Sequence, residues 1–152
     1  MEMHTIPNDY FFSIVEDELA RGKNVEFTVK GYSMLPYIRN MKDSVVLYPC
    51  NKEELKPLDF VLFRFHGRHI LHRIIKIEDN HYTLQGDGIY ASQEYCTGED
   101  IVGIVRYIVR NGRKVSVDDK NYQRYIKIWY RLRFMRRYLL FGCRVLSRLF
   151  EV

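Results

Sequence analysis

The sequence has no long apolar run, and this shortage argues against a membrane-spanning helix. Such a helix needs about 20 predominantly apolar residues, whereas the longest uncharged stretches here, 31–38 and 44–51, are eight residues each. The N-terminus also lacks the basic segment and apolar core of a signal peptide. We therefore expect a cytoplasmic or peripherally membrane-associated protein.

Cysteine is scarce as well, with three residues at Cys50, Cys96 and Cys143 and no CxxC pair. An odd number without paired spacing predicts free thiols in a reducing compartment, with a secreted protein carrying one spare thiol as the alternative. A chain of 152 residues needs no disulfide or metal to fold, because it can bury roughly 70% of its unfolded surface.

The net charge of +5 is unevenly distributed. Residues 119–152 contain nine Lys or Arg against two acids, a local balance of +7, so that residues 1–118 sum to −2. A basic segment on a near-neutral body indicates an anionic partner, either a membrane surface or nucleic acid.

Hydrophobic periodicity predicts an α+β protein that is mainly β. Residues 9–21 repeat apolar side chains at helical spacing and are followed by Gly22. Turn residues then separate short β-rich segments, and the pairs His66-Gly67 and Asn111-Gly112 are typical of tight hairpins. The spacing predicts a coiled, largely antiparallel, barrel-like sheet. The predicted strands are 25–30, 44–48, 60–65, 69–77, 81–85, 101–109 and 114–117.

This pattern divides the chain into three segments: an N-terminal amphipathic helix at 1–24, a β core at 25–118 and a basic helical tail at 119–152. The arginines of the tail change face along its length, which predicts two helical pieces with a break near 133–138 or near Gly142. The tail is either a helix packed on the domain with a solvated basic face or an interfacial helix on anionic lipid. No recognition fold accompanies the charge, so nucleic acid is the weaker partner.

Ser33 is the candidate nucleophile. It lies in Gly31-Tyr32-Ser33-Met34-Leu35-Pro36, where glycine permits a tight backbone and proline stiffens the residues after it. A serine hydroxyl is a weak nucleophile unless a base lies within hydrogen-bond reach. The alternative is an ordinary turn serine.

His72 is the candidate base, since imidazole titrates near neutral pH. It shares a strand face with Ile70 and Ile74, so a structural core histidine is the alternative. His66 and His69 suggest a metal site, but a spacing of three on a strand points neighbouring ligands to opposite faces and no other ligand lies nearby. We predict no metal and no cofactor.

Asp87 comes directly after a predicted strand in Gln85-Gly86-Asp87. Gly-Asp-Gly is also a routine turn, so the residue alone indicates little. Serine, histidine and aspartate together supply a nucleophile, a base and a group that orients the base.

In this order the phrases resemble the type I signal peptidases and the self-cleaving LexA-type repressors. The serine phrase is similar to the Ser-Met-x-Pro box of that group. The use of His72 rather than a lysine resembles the signal peptidases of the endoplasmic reticulum and archaea. The similarity continues through 42–46, 56–63, Gln85-Gly86-Asp87 and 100–105, and it covers roughly residues 26–106.

The resemblance implies a LexA/signal peptidase type of core and peptide-bond hydrolysis. Ser33 would attack, His72 would carry the proton and Asp87 would orient His72. Gly31, Met34 and Pro36 would shape the serine turn and its oxyanion-binding backbone.

The chain departs from this family in four ways. We expect no membrane anchor and no helix-turn-helix within it, and it has Gly31 where some members donate a hydroxyl, and Gln93 and Glu94 where relatives often carry a further acid.

We therefore expect a serine endopeptidase that cleaves a peptide or exported precursor. The alternatives are a peptide-binding protein of the same fold that has lost catalysis, and a membrane-surface adaptor that acts through residues 121–150. The residues specify neither the cleavage rule nor the oligomeric state.

Overall fold

The computed structural model describes residues 8–150, in which one helix precedes an eight-stranded sheet and two helices come after it. Predictions that fall on residues 1–7 and 151–152 lie outside the described residues. The elements are α1 (Asn8–Ala20), β1 (Val25–Thr28), β2 (Asp43–Tyr48), β3 (Phe60–Phe65), β4 (Arg68–Glu78), β5 (His81–Gln85), β6 (Glu94–Thr97), β7 (Ile101–Arg110), β8 (Arg113–Ser116), α2 (Lys120–Arg131) and α3 (Arg136–Phe150).

The strands form one antiparallel sheet in the order β1-β2-β7-β3-β4-β5-β6, with β8 also paired to β7. Register shifts interrupt the β2–β7, β3–β7 and β4–β5 ladders. Each such irregularity bends a strand and increases its twist, and the sheet curls into a half-barrel. The predicted α+β class and coiled antiparallel sheet are confirmed.

Both predicted hairpin turns are present. His66-Gly67 and Asn111-Gly112 adopt positive φ angles at both positions, as a two-residue type I′ turn requires. These turns join β3 to β4 and β7 to β8. The first of them sets the register of the strand that carries His72.

Strand alternation divides the apolar side chains between two clusters. Phe60 and Leu62 of β3 pack into a cluster with α1, β2 and α2, whereas Val61 and Phe63 face a second cluster with β4, β5 and β6. Successive strand residues point to opposite faces, so one strand supplies both clusters.

The C-terminal basic segment forms the two predicted pieces, with the break at Arg133–Met135. Asp119 caps α2 by accepting hydrogen bonds from the N–H groups of Asn121 and Tyr122, both at 3.0 Å. Tyr122 and Ile126 are buried in the first cluster, so α2 packs on the sheet. Within residues 8–150, no helix has both the length and the apolar character to cross a bilayer.

Candidate active site

Ser33 lies in a turn between β1 and β2 and is half-buried. Gly31 opens the turn with a φ of +113°, a value that favours glycine. Its N–H donates to Asn40 Oδ1 at 2.7 Å, which ties the two ends of the loop together. Gly31 therefore supports the turn, and its N–H is already occupied.

The far end of the serine loop is fixed by Asp43, whose side chain is fully buried. Arg39 and Arg110 each donate to its carboxylate at 2.8 Å. Burial alone would raise the pKa of Asp43, but hydrogen bonds from Arg110 and Arg39 outweigh it and hold the pKa below its ordinary value of 3.8. The loop is thus held by an ionised group.

His72 lies on β4 opposite Val61 of β3 and is 5% exposed. Its Nδ1 is 2.8 Å from Glu94 Oε2 on β6. A carboxylate at this distance accepts the Nδ1 proton and leaves Nε2 as the basic nitrogen. Nε2 makes no hydrogen bond within residues 8–150.

Gly86 is the point at which the serine turn and the histidine meet. A Cβ atom placed on Gly86 would lie 2.3 Å from the Ser33 carbonyl oxygen and 2.9 Å from His72 Nε2. The Gly88 N–H also donates to the Ser33 carbonyl at 2.8 Å. Ser33 and His72 are therefore neighbours, although their side chains are not directly hydrogen-bonded. Such contacts are often long in ligand-free structures and shorten when substrate binds.

Asp87 does not contact His72 as expected. Its two carboxylate oxygens accept hydrogen bonds from Arg73 at 2.9 and 2.8 Å, and both side chains are almost fully buried. Burial alone would lower the pKa of Arg73, but the charge of Asp87 raises it. The reason is strand alternation: Arg73 comes after His72 on β4 and points to the other face of the sheet, and Asp87 points with it.

Glu94 takes the position beside His72 that was predicted for Asp87. It begins β6, a strand that was not predicted because its four residues, with one buried side chain, contain little alternating apolar pattern. β6 pairs with β5 and lies at the edge of the sheet. The one signal available in the sequence was Glu94 itself, an acid that comes a few residues after Gln85-Gly86-Asp87.

Two backbone N–H groups are available to stabilise an oxyanion. Neither Ser33 nor Met34 donates a backbone hydrogen bond within the described part of the chain. The Met34 side chain is buried and accepts the Asp87 N–H at Sδ, 3.4 Å away. Pro36 stiffens the same turn. The N–H groups of Ser33 and Met34 are therefore the candidates for an oxyanion-binding pair.

Helices α2 and α3 each supply a side chain that donates a hydrogen bond to residues 85–88. Trp129 Nε1 donates to the Asp87 carbonyl at 2.9 Å, and Arg136 donates to Gln85 Oε1 at 3.1 Å. Arg136 is 2% exposed, and burial lowers the pKa of its guanidinium. Nothing in the sequence pattern indicated that these two residues return to the serine–histidine region.

A groove of about 430 Å³ lies between the serine turn and α3. Tyr32, Leu35 and Gly88 line it on the side of the turn, and α3 supplies the other wall. Among its lining residues are three cations, Arg39, Lys42 and Arg144, and no acid. Neither Ser33 nor His72 is among its lining residues, so the groove lies beside the serine turn rather than over these two side chains.

The other histidine of β4, His69, faces a different environment. Its Nε2 is 2.6 Å from Glu16 of α1, and its ring stacks on Phe12 with centroids 4.6 Å apart. His69 and His72 therefore bind different carboxylates. Within residues 8–150, no three His, Cys, Asp or Glu side chains are grouped as metal ligands.

No protein-family model matches this sequence, and no curated protein matches it.

Proposed function

We propose that the protein is a serine endopeptidase of the signal peptidase-like type, with Ser33 as nucleophile, His72 as general base and Glu94 as the group that orients the base. The observation that carries the proposal is the 2.8 Å contact between His72 Nδ1 and Glu94, which leaves Nε2 unpartnered, among the described residues, beside the serine turn. In this proposal the three residues would take the roles of nucleophile, base and orienting acid, which are recognised by geometry rather than by sequence order.

In the proposed reaction Ser33 Oγ attacks the scissile carbonyl carbon while His72 Nε2 takes the hydroxyl proton. The carbonyl oxygen becomes an oxyanion, which the N–H groups of Ser33 and Met34 stabilise. The C–N bond then breaks, His72 returns the proton to the leaving amine, and an acyl ester remains on Ser33. Water repeats the sequence with His72 as base and releases the acid.

The positions of the charges support this assignment over one with Asp87. A carboxylate that accepts two hydrogen bonds from a buried arginine is already neutralised and directed away from the imidazole. Within residues 8–150, Glu94 contacts no such cation. Its carboxylate is therefore directed at the imidazole and would stabilise the imidazolium that forms when His72 takes the proton.

The substrate class that fits the groove is a peptide or exported precursor bound in extended form. Arg39 is already paired with Asp43, but Lys42 and Arg144 form no ion pair within residues 8–150, and they would favour an acidic residue in the part of the peptide that lies beside the serine turn. The relationship of the half-barrel to the LexA/signal peptidase fold belongs to this proposal.

The test is covalent labelling with a fluorophosphonate, which reacts with an activated serine. The wild-type protein should be labelled, Ser33→Ala should not, and the exposed Ser92→Ala should match the wild type. Labelling that survives in Ser33→Ala would refute Ser33 as nucleophile. A folded protein that resists the label, cleaves no peptide and still binds peptides in the groove would be the peptide-binding protein instead.

His72→Gln separates the base from a structural core histidine. We expect labelling to fall about 100- to 10,000-fold, the range for loss of a positioned general base, with the unfolding temperature nearly unchanged. If the variant unfolds instead, His72 is a packing residue and the proposed mechanism is wrong.

A further inference from the structure

Helix α3 exposes an unusually large apolar surface. Phe141, Leu149 and Phe150 are 70%, 66% and 82% exposed, and Tyr138 and Leu146 are also mostly exposed. Scattered exposed apolar residues are ordinary, but a contiguous set of large ones marks an interaction surface.

Four of the exposed apolar side chains of α3 share one side of the helix. Tyr138, Phe141, Val145 and Leu149 succeed each other at intervals of three and four residues, so they lie in one stripe. We call this stripe the apolar face of α3. The helix contacts the protein body through Arg136 and Leu140, which are buried. The apolar face is therefore directed away from the core.

Arginines run along one edge of the apolar face. Arg137, Arg144 and Arg148 are exposed and separated by seven and four residues, which places them in a neighbouring stripe. Residues 120–150 contain nine Lys or Arg and no Asp or Glu. The surface thus combines exposed aromatic and aliphatic groups with positive charges that no nearby acid in the sequence balances.

We propose that the apolar face of α3 docks on an anionic lipid bilayer, with Phe141, Val145 and Leu149 in the acyl boundary and Arg137 and Arg148 at the lipid phosphates. An interfacial helix has this combination of a wide apolar face and a basic flank. Tyrosine suits the headgroup layer, because its ring is apolar and its hydroxyl is polar.

The charge and the apolar character of this face argue against a second copy of the chain and against nucleic acid as its binding partner. A second copy of the chain would bring its own arginine stripe against the first, and no acid between 120 and 150 offsets the repulsion. Nucleic acid would satisfy the arginines but leave the aliphatic side chains in water. Anionic lipid satisfies both sets of groups.

The docking surface and the groove lie on opposite sides of the same helix. Leu140, Cys143 and Ser147 line the groove, and they lie roughly half a turn away from Phe141 and Val145. Docking would therefore leave the groove open and hold it at the height of one helix above the lipid surface. A peptide bound to the same membrane would reach it without diffusing through bulk solution.

The experiment measures co-flotation of the full chain with vesicles of phosphatidylcholine alone and with phosphatidylcholine containing phosphatidylglycerol. The wild type should float only with the anionic vesicles, and less at high salt. Phe141→Ser and Leu149→Ser should each weaken binding about tenfold. The double variant Arg137→Gln/Arg148→Gln should weaken it about 25-fold, or about fivefold for each arginine.

A matched control removes two charges elsewhere: Arg124→Gln/Lys127→Gln, on the exposed side of α2. This variant should lose clearly less affinity than the α3 pair. If both double variants lost the same affinity for the vesicles, the proposal would be overturned, because the protein would then bind through its overall positive charge and not through α3. Failure of the wild type to float, or a dimer in solution that Phe141→Ser dissociates, would also overturn it. Circular dichroism checks that each variant is folded.

Ser33→Ala separates this proposal from the enzymatic one. It should float like the wild type, because Ser33 lies outside the apolar face. If Ser33→Ala loses labelling and floats unchanged, both assignments are supported. If the wild-type protein floats but never reacts with the fluorophosphonate, the lipid-binding surface is supported and the peptidase assignment is wrong.

Discussion

Replacing Asp87 and Glu94 separately should distinguish a carboxylate that stabilises the fold from one that serves the chemistry. Asp87→Asn keeps the size of the side chain and one acceptor but removes the negative charge beside Arg73. That arginine is 3% exposed, so its positive charge would remain buried without a counter-ion. We expect a folded but less stable protein.

The magnitude depends on the remaining partners of Arg73. Breaking a buried ion pair costs about 3–5 kcal/mol. Arg73 would keep its hydrogen bonds to the Leu58 carbonyl at 2.9 Å and to the Tyr122 hydroxyl at 3.2 Å, and it lies over the Phe60 ring. These contacts favour the lower end, about 3 kcal/mol, which lowers the unfolding temperature of a chain this size by about 6–12 °C.

Glu94→Gln should behave in the opposite way. Its side chain is 14% exposed and lies on an edge strand, so we expect at most about 1 kcal/mol of destabilisation. An amide no longer fixes the imidazole as a carboxylate does, and labelling of Ser33 should fall about 100- to 10,000-fold. Thermal denaturation and the labelling rate of both variants decide the matter. A stable, unreactive Asp87→Asn beside a reactive Glu94→Gln would refute the assignment.

Two further predictions concern the loops around the site. Gly86→Ala should reduce labelling about 100-fold, since its Cβ would displace the Ser33 carbonyl or the His72 ring; Gly142→Ala, which meets nothing within 4 Å, is the control and should react like the wild type. Asp43 has a lower pKa in the folded protein than in the unfolded chain. Its ionised carboxylate therefore stabilises the fold fully above its pKa in the unfolded chain, about 4, and this stabilisation is lost as the pH falls through its pKa in the folded protein. Urea denaturation should show Asp43→Asn to be less stable at neutral pH and less sensitive to acid below about pH 4; an unchanged acid dependence would contradict this.

The strands could be predicted because local pattern determines them. The segment 60–65 alternates between two apolar clusters, and both hairpin turns carry glycine where positive φ is needed. β6 escaped prediction because an edge strand of four residues, with one buried side chain, has little apolar pattern to detect.

The candidate site was only partly predictable for a different reason. Ser33 and His72 stand in recognisable phrases, whereas the partner of an imidazole depends on which strand pairs with which. Asp87 and Glu94 are both acids that come after β5, and only the pairing of β5 with β6 places the second beside His72. Arg136 lies 51 residues from Gln85 in the chain, a separation over which periodicity carries no information.

The hydrogen bonds that Trp129 donates to Asp87 and that Arg136 donates to Gln85 and Gly86 have a consequence for biosynthesis. A nascent chain would already contain the serine and the histidine while the residues that brace their meeting point had not yet been translated. Under the proposed function, the serine–histidine region would be fully braced only after residue 136 had left the ribosome.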